Sequence, residues 1–513
     1  MTERFFKPIE EKTNLTLTEN AAVTRITSNS DLLDLFSTVG ALRNAEESDI
    51  VRRASRAISD ETLEKDAVWD FFLRILFYAR DVRGGLGERR VFRVILEYLA
   101  ESYPEVVLAN LDNIAFYGRW DDFYALFGTK IEKEAAEHLE NQFREDLEAL
   151  KDPDGSPSLL GKWLKSENTS SKNSRDLARK TIKHFNISPS SYRKSLAKLR
   201  ERINVVERLM SQNRWEEIVY SNVPSKAAMI YRDAFRKHDP ECYDKFISEV
   251  EEGNQEIKGG TLFPYEIVRK IFNDHEMKQD SLRVLEAQWK ALPDYGAIED
   301  NAMAVVDTSS SMYSNDLFPL SVAISLGLYF AERNTAPGFH NKFFTFSSAP
   351  DLVVVKGKDI REKLFNMREA NWGASTNLES LFELVLSVAR ENNLSQEDLP
   401  QKLFIISDMQ FDAATRYMDK TEMKNRTFIQ KMKDKYEKNN YSLPHIVFWN
   451  VASRHTQSPV TMSEEGFHLV SGCSPSTFKA VVDANATTPF GIMLEILSNK
   501  RYDRIINPFN GEK

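Results

Sequence analysis

The amino-acid sequence predicts two fold classes in one chain: a stack of antiparallel helix pairs, an α-solenoid, over residues 1–295, followed by a doubly wound, largely parallel α/β domain over residues 296–513. Three observations predict this division. Apolar residues recur at helical spacing from about residue 30 to 290, short apolar runs alternate with helical stretches after Pro293, and 513 residues exceed what one core organises at roughly one domain per 150 residues.

In the first part, Trp69, Phe72, Leu73, Leu76 and Phe77 fall at i, i+3, i+4, i+7 and i+8, which makes one buried helix face. Gly84, Gly85 and Gly87 interrupt the pattern before Val91, Ile95 and Tyr98 resume it, so two helices meet at a short turn. Ser188 and Pro189 start a later helix, and its apolar stripe is expected to run through Tyr192, Leu196, Leu199, Ile203 and Val206. Stacked helix pairs bury such stripes against one another. The sequence shows no strict repeat of fixed length.

In the second part, Met303–Val306, Lys342–Phe346, Leu403–Ile406 and His445–Trp449 read as buried strands because they are mostly apolar without strict alternation. Helical patterns near Leu317–Arg333, Leu378–Arg390 and Thr421–Tyr436 complete β-α-β units. The rhythm changes between Leu292 and Asp300.

Composition narrows the function classes. Hydrophobic residues make up 42% and charged residues 28%, so most of the chain is expected to fold. Cys242 and Cys473 alone build no disulfide framework, and MTERFFKPIEEKTN lacks the apolar stretch of a secretory signal, which together point to the cytoplasm. The longest apolar run, Leu317–Ala331, falls short of the ~20 residues that span a bilayer, so no membrane partner is expected. A net charge of −9 argues against indiscriminate coating of nucleic acid while leaving room for a local basic face.

The most informative motif is Asp307-Thr308-Ser309-Ser310-Ser311, a D-x-S-x-S segment that follows a predicted strand and precedes a helix. At the carboxyl end of a parallel strand one carboxylate and two hydroxyls converge above the sheet edge. Such hard oxygen donors suit Mg²⁺, with Mn²⁺ as a substitute. Taken alone the motif is also an ordinary turn and helix cap. Two later segments reach the same edge: Gly373-Ala374-Ser375-Thr376-Asn377, where Thr376 offers a hydroxyl, and Ser407-Asp408, where Asp408 adds a second carboxylate.

In this order the three segments resemble the metal-ion-dependent adhesion site of the von Willebrand A family. The resemblance assigns Asp307, Ser309, Ser311, Thr376 and Asp408 to the metal and implies an open position for an Asp or Glu carboxylate of a protein partner. One departure is Met409, which stands after Asp408 where many relatives have glycine. The first part contains Arg80-Asp81-Val82-Arg83-Gly84-Gly85-Leu86-Gly87-Glu88-Arg89, Tyr117-Gly118-Arg119-Trp120-Asp121-Asp122 and Lys162-Trp163-Leu164. These resemble uncharacterised phage and plant proteins with a helical region before a von Willebrand A domain. That layout is similar to Ro proteins of the TROVE class, in which HEAT-like helical repeats form a ring that binds RNA. The implied function is an RNA-binding scaffold with a metal-dependent partner-binding domain, located in the cytoplasm, or in a host cytoplasm or virion if phage-encoded. A protein-only scaffold, such as a phage structural component that uses the metal site for assembly, is the alternative.

Support for structured or single-stranded RNA within the residues themselves lies between Lys162 and Arg202. Arg175, Arg179 and Lys183 fall at i, i+4 and i+8, and Lys194, Lys198 and Arg202 repeat the spacing on the next helix. These stripes are either an RNA-binding surface or solvated helix faces. The glycine-rich turn at 83–90 offers backbone N–H groups to a phosphate or simply closes a hairpin. Trp120 and Trp163 are expected in cores. Enzyme chemistry is not expected: Gly155 to Lys162 has the wrong spacing for a P-loop, and there is no G-x-S-x-G elbow or H-E-x-x-H helix.

Overall fold

The computed structural model describes residues 13–274, 276–295, 301–346, 350–368, 377–411 and 427–510. The chain divides into two compact units, one drawn from Met1–Ile75 and Leu262–Asn499, the other from Leu76–Thr261 and Lys500–Lys513. Both fold classes expected from the sequence are present: helix pairs in the first part and a mixed, mainly parallel sheet in the second.

In the first unit, β1 (Leu15–Leu17) and β2 (Val23–Arg25) form a small hairpin. The main sheet comprises β3 (Ala302–Asp307), β4 (Lys342–Phe346), β5 (Asp351–Val354), β6 (Lys402–Ser407), β7 (His445–Asn450) and β8 (Phe467–Ser471), in the order β5-β4-β3-β6-β7-β8. All neighbours are parallel except β4 and β5. The residues of β3 and β8 are buried throughout, as expected of strands covered on both faces. After β3 the chain moves to β4 on one side, then returns to β6 on the other, so the winding direction reverses at β3. In open α/β sheets ligands bind in the crevice at that reversal, beyond the carboxyl ends of the strands. Val306 pairs with Ile406, which sets Asp307 and Ser407 side by side at this edge.

Between β3 and β4 runs the Ser314–Arg333 helix, buried without interruption from Phe318 to Ala331. Its first residues, Asn315, Asp316 and Leu317, have left-handed backbone, so the regular turns begin near Pro319, whose fixed φ suits a first turn. Gly327 lets the helix lie directly on the sheet: a Cβ there would stand 2.3 Å from Val306 Cγ2.

The division predicted at 295/296 is not where the compact units part. Residues before 76 join the sheet's unit because the short Asp31–Phe36 helix buries Leu32, Leu33, Leu35 and Phe36. Gly40 N there donates to Ser471 Oγ at 3.0 Å, and Arg25 and Ser458 exchange backbone bonds, each of 3.1 Å. None of this shows as a change of apolar rhythm. β5 and β8 were also not anticipated; β5 is an edge strand with Leu352 and Val354 exposed, outside the buried pattern that marked the others.

The Lys65–Arg80 helix, along which the first unit gives way to the second, and the Arg90–Ser102 helix of the second unit carry the expected stripes. Between them, Leu86 N and Glu88 N donate to Tyr78 O and Ala79 O at 3.0 and 2.7 Å, so these glycine-turn amides are spent within the turn. A Cβ on Gly85 would lie 2.1 Å from Tyr78 O, which accounts for the glycine. The helix from Pro189 ends at Arg202, not beyond Val206: Asn204 turns left-handed at φ 52° and a separate Val206–Ser211 helix follows. The chain's last residues return to this unit. Arg501 pairs with Asp81, Tyr502 stacks on Tyr117 at 5.6 Å, and the Asn110 side chain brackets Ile506, its Nδ2 donating to Ile506 O at 2.7 Å and its Oδ1 accepting Ile506 N at 3.0 Å.

The Gly327 contact gives a direct test of the sheet packing. Ala is favoured over Gly in a helix by up to about 1 kcal/mol, yet Gly327→Ala should destabilise the fold by roughly 1–3 kcal/mol through overpacking against Val306. Adding Val306→Ala should recover part of the loss in a denaturant titration. A single variant more stable than the parent would contradict the close approach.

Candidate metal centre and basic surface

Four of the five residues assigned to the metal stand together at the carboxyl edge of β3 and β6. Asp307 is fully buried, and Ser309 and Asp408 nearly so. Asp307 Oδ1 accepts Ser309 N at 2.9 Å, its Oδ2 accepts Ser407 Oγ at 2.5 Å, and the hydroxyls of Ser309 and Ser311 are 3.1 Å apart. Thr376 lies outside the described residues; its neighbour Asn377 caps the Leu378–Glu391 helix, accepting Ser380 N at 3.1 Å.

The turn after β6 accommodates the departure at Met409. This residue takes the left-handed conformation, φ 65°, that a glycine would adopt without penalty, at a cost of about 1–2 kcal/mol for an L side chain. Met409 N donates to Ser407 Oγ at 3.0 Å and Gln410 N to Asp408 Oδ1 at 3.3 Å, so the turn is held by the side chains at the site itself.

The site holds buried acid that its neighbours compensate only in part. Burial, reinforced by the Asp408 carboxylate, pushes the Asp307 carboxyl up to about 7, against the bonds it accepts from Ser407 and Ser309. Burial also raises Asp408, with Ser311 and Arg454 opposing. Asp408 Oδ2 is buried with no hydrogen-bond partner; the nearest cation, Arg454 Nη2, is 3.9 Å away and donates instead to Ser311 O at 2.8 Å and Ser314 Oγ at 2.9 Å. Two buried carboxylates, one with a bare oxygen, beside two serine hydroxyls fit a hard divalent ion. Among the described residues no group of three or more His, Cys, Asp or Glu is placed to hold a metal, so an ion here relies on hydroxyl oxygens.

Three participants at this edge were not found in the sequence. Ser407 orients Asp307; Arg454 lies against the serine loop; and the tip of the β1–β2 hairpin covers the Asp408 turn, with Thr18 Oγ1 donating to Phe411 O at 2.7 Å and Glu19 N to Gln410 Oε1 at 3.0 Å. Ser407 adjoins a motif residue and was within reach; the other two sit hundreds of residues from Asp408 or in a loop without pattern.

The predicted cationic stripes are only partly free. Arg175 Nη1 donates to Thr169 O and Ser170 O at 2.7 and 2.8 Å, and Arg202 is bonded to the carbonyls of Asp152, Pro153 and Gly155. Both hold loops, Arg202 from an exposed position. Arg179 pairs with Asp176 at 3.3 Å in an exposed position, and Lys183, Lys194 and Lys198 are exposed. A denser cluster surrounds Asp121 and Asp122. Arg80 and Arg93 reach Asp122, each at 2.7 Å, while Arg93 and Arg119 reach Asp121 at 2.9 and 3.0 Å. Arg119 lies over Trp163, 4.0 Å from the ring centre, and Lys165 over Tyr124 at 5.4 Å. Arg200 clamps the segment that carries Trp163 and Lys165, bonding Gly161 O and Leu164 O at 2.9 Å and Ser166 Oγ at 3.0 Å. Burial alone would raise Asp121, but Arg119 and Arg93 outweigh it and hold the carboxyl below its usual range. Burial lowers Lys165, as do Arg93, Arg119 and Arg89, against the attraction of Asp121. The motifs around Gly118 and Trp163 had marked this region only by resemblance.

Residues 18–145 and 158–295 match the family described as "Domain of unknown function (DUF2828)", which takes in more than half of the chain. The chain belongs to the DUF2828 family. Residues 301–493 of this DUF2828 member also match "Domain of unknown function (DUF7788)". Among its relatives is "Uncharacterized protein L728" of Acanthamoeba polyphaga mimivirus, 28% identical over 526 residues that cover 94% of this chain and 87% of that protein. The crystal structure of the Ro (RSR) protein of Deinococcus radiodurans is similar with a TM-score of 0.37 and 12% identity, over 92% of this chain and 99% of that one. Likeness at that level leaves both fold and function to be argued from the DUF2828 chain itself.

The raised Asp307 carboxyl gives a pH signature. Its unfolded value is about 3.9, so between about pH 4 and 7 the folded chain keeps a proton that the unfolded chain has released, and metal-free stability falls as pH rises through that window. A bound divalent cation favours the ionised form and offsets the loss. The gain in melting temperature on adding Mg²⁺ should therefore be larger at pH 8 than at pH 6, and Asp307→Asn should flatten the metal-free slope. An equal Mg²⁺ increment at both pH values would contradict this account.

Proposed function

We propose that the protein is an RNA-binding scaffold whose sheet unit captures an acidic protein partner through a divalent cation. One observation carries the metal part: Asp307 and Asp408 are buried at the carboxyl ends of adjacent parallel strands, with Asp408 Oδ2 lacking a hydrogen-bond partner. Asp307, Ser309, Ser311 and Asp408 would hold Mg²⁺ or Mn²⁺, joined by Thr376 if the resemblance extends to it. When bound, the ion supplies a Lewis-acidic position that takes a carboxylate oxygen. The chain's own groups do the rest: Ser407 fixes the rotamer of Asp307, and the left-handed turn at Met409 presents Asp408. The proposed role is binding rather than catalysis.

The RNA part rests on local charge within a chain of net charge −9. Arg80, Arg89, Arg93, Arg119 and Lys165 gather near Asp121 and Asp122, more cation than the two aspartates neutralise. Arg179, Lys183, Lys194 and Lys198 add exposed charge. A protein-only scaffold is the second reading, favoured by the internal bonds of Arg175 and Arg202.

Two experiments test these parts separately. Mg²⁺ at a hundredfold excess over its dissociation constant should stabilise the parent by about 2.7 kcal/mol, and Asp307→Ala should abolish that response while the helical unit keeps its far-ultraviolet dichroism; an unchanged titration would sink the metal assignment. Changing Arg179, Lys183 and Lys198 together to Gln should make the salt dependence of single-stranded RNA binding shallower by about two units, at roughly 0.7 per phosphate. Absence of RNA binding by the parent at low salt would leave the protein-only reading.

A further inference from the structure

Next to the candidate metal centre, within the same unit, lies a cleft of about 270 Å³ whose described lining includes Arg52, Arg53, Arg454, His455 and Gln457, with Asp49 as its one carboxylate. Arg454, His455 and Gln457 also line the small cavity beside Asp408, so the two spaces share a wall. Three guanidinium groups and an imidazole meet only Asp49 within the lining and Glu19 beside it, so cationic side chains outnumber acid there. Arg53 is fixed, with Nε 3.0 Å from Asp49 Oδ2 and Nη1 3.2 Å from Ser453 Oγ. Arg52, which also reaches Asp49, is 53% exposed and Arg454 is 34% exposed, so both present charge to solvent.

We propose that this cleft docks an acidic peptide segment of a protein partner, with the arginines pairing its side-chain carboxylates. The chain itself displays the geometry. Glu19, at the hairpin tip, places Oε1 2.9 Å from His455 Nε2 and Oε2 3.9 Å from Arg454 Nη1. It stands where a partner's carboxylate would stand and competes with it. Gln457 donates its Nε2 to Leu17 O at 2.7 Å, which fixes this part of the wall against the hairpin. Apart from His455 the described lining holds no aromatic ring on which a base would stack, which favours peptide over nucleic acid. The volume falls just under the roughly 300–1,000 Å³ of small-ligand pockets, enough for side chains of an extended segment. This inference rests on the metal reading only in supposing that a further carboxylate of the same segment reaches the ion.

A fluorescein-labelled penta-glutamate peptide, with penta-glutamine as its control, tests the proposal by anisotropy on the full chain, in Mg²⁺ and in EDTA. The glutamate peptide should bind more tightly than the glutamine peptide and weaken with salt. Arg52→Gln should weaken it about tenfold, the equivalent of about 1.4 kcal/mol, and Glu19→Gln should tighten it by removing the internal competitor. Arg52 is largely exposed, so the first variant is expected to fold, and unchanged thermal unfolding checks that it has. Equal binding of the two peptides, or glutamate binding indifferent to Arg52→Gln and Glu19→Gln, would overturn the proposal. Displacement of the peptide by a single-stranded oligonucleotide at equal concentration would overturn it too, by assigning the cleft to phosphates. Binding that needs Arg52 yet ignores Mg²⁺ would uphold the cleft and overturn the metal reading instead.

Discussion

Two carboxylates held out of water at the ends of neighbouring parallel strands set the terms for the sheet unit. Asp307 and Asp408 are buried by a sheet covered on both faces, and like charges so placed raise each other's proton affinity. The parallel register of β3 and β6 makes this unavoidable, because pairing Val306 with Ile406 brings both strand ends to one level. Left-handed backbone flanks the pair on both sides, at Met409 and at the start of the Ser314–Arg333 helix.

The helical unit meets a related constraint with a different outcome. Asp122 is fully buried, and Arg80 and Arg93 neutralise it directly. A buried charge of this kind is tolerated only when paired and well bonded, and removing one partner typically costs about 3–5 kcal/mol. Asp81, also fully buried, is met by Arg501 from the end of the chain, so the last residues complete a charge balance as well as an aromatic stack. Asp122 and Asp81 are each met by arginine, whereas Asp408 keeps an oxygen without a hydrogen-bond partner. That contrast is the physical argument for a cation at Asp408.

Charge in this protein is therefore local in its effects. A net charge of −9 coexists with an arginine-lined cleft near Asp408 and with the cluster around Asp121. Short-range fields of this kind are screened beyond about 8–10 Å at physiological ionic strength. The sum over the chain accordingly says little about what either face attracts, whereas the residues within one cleft say a good deal.

Much of the fold was legible in the sequence because burial imposes periodicity. The apolar runs of β3, β4, β6 and β7 and the stripe from Trp69 to Phe77 follow directly from being covered by other elements. The grouping of Asp307, Ser309, Ser311 and Asp408 was legible too, since a motif at a strand end records its place on the sheet edge. Tertiary structure alone decided the rest. That Arg175 and Arg202 are spent on loop carbonyls depends on where those loops pass, and helical spacing carries no trace of it. That Glu19 meets His455, and that Arg501 meets Asp81, depends on contacts across some four hundred residues. Local sequence encodes which face of an element is buried; it does not encode which distant segment covers that face, because such pairing is selected by the packing of the whole unit.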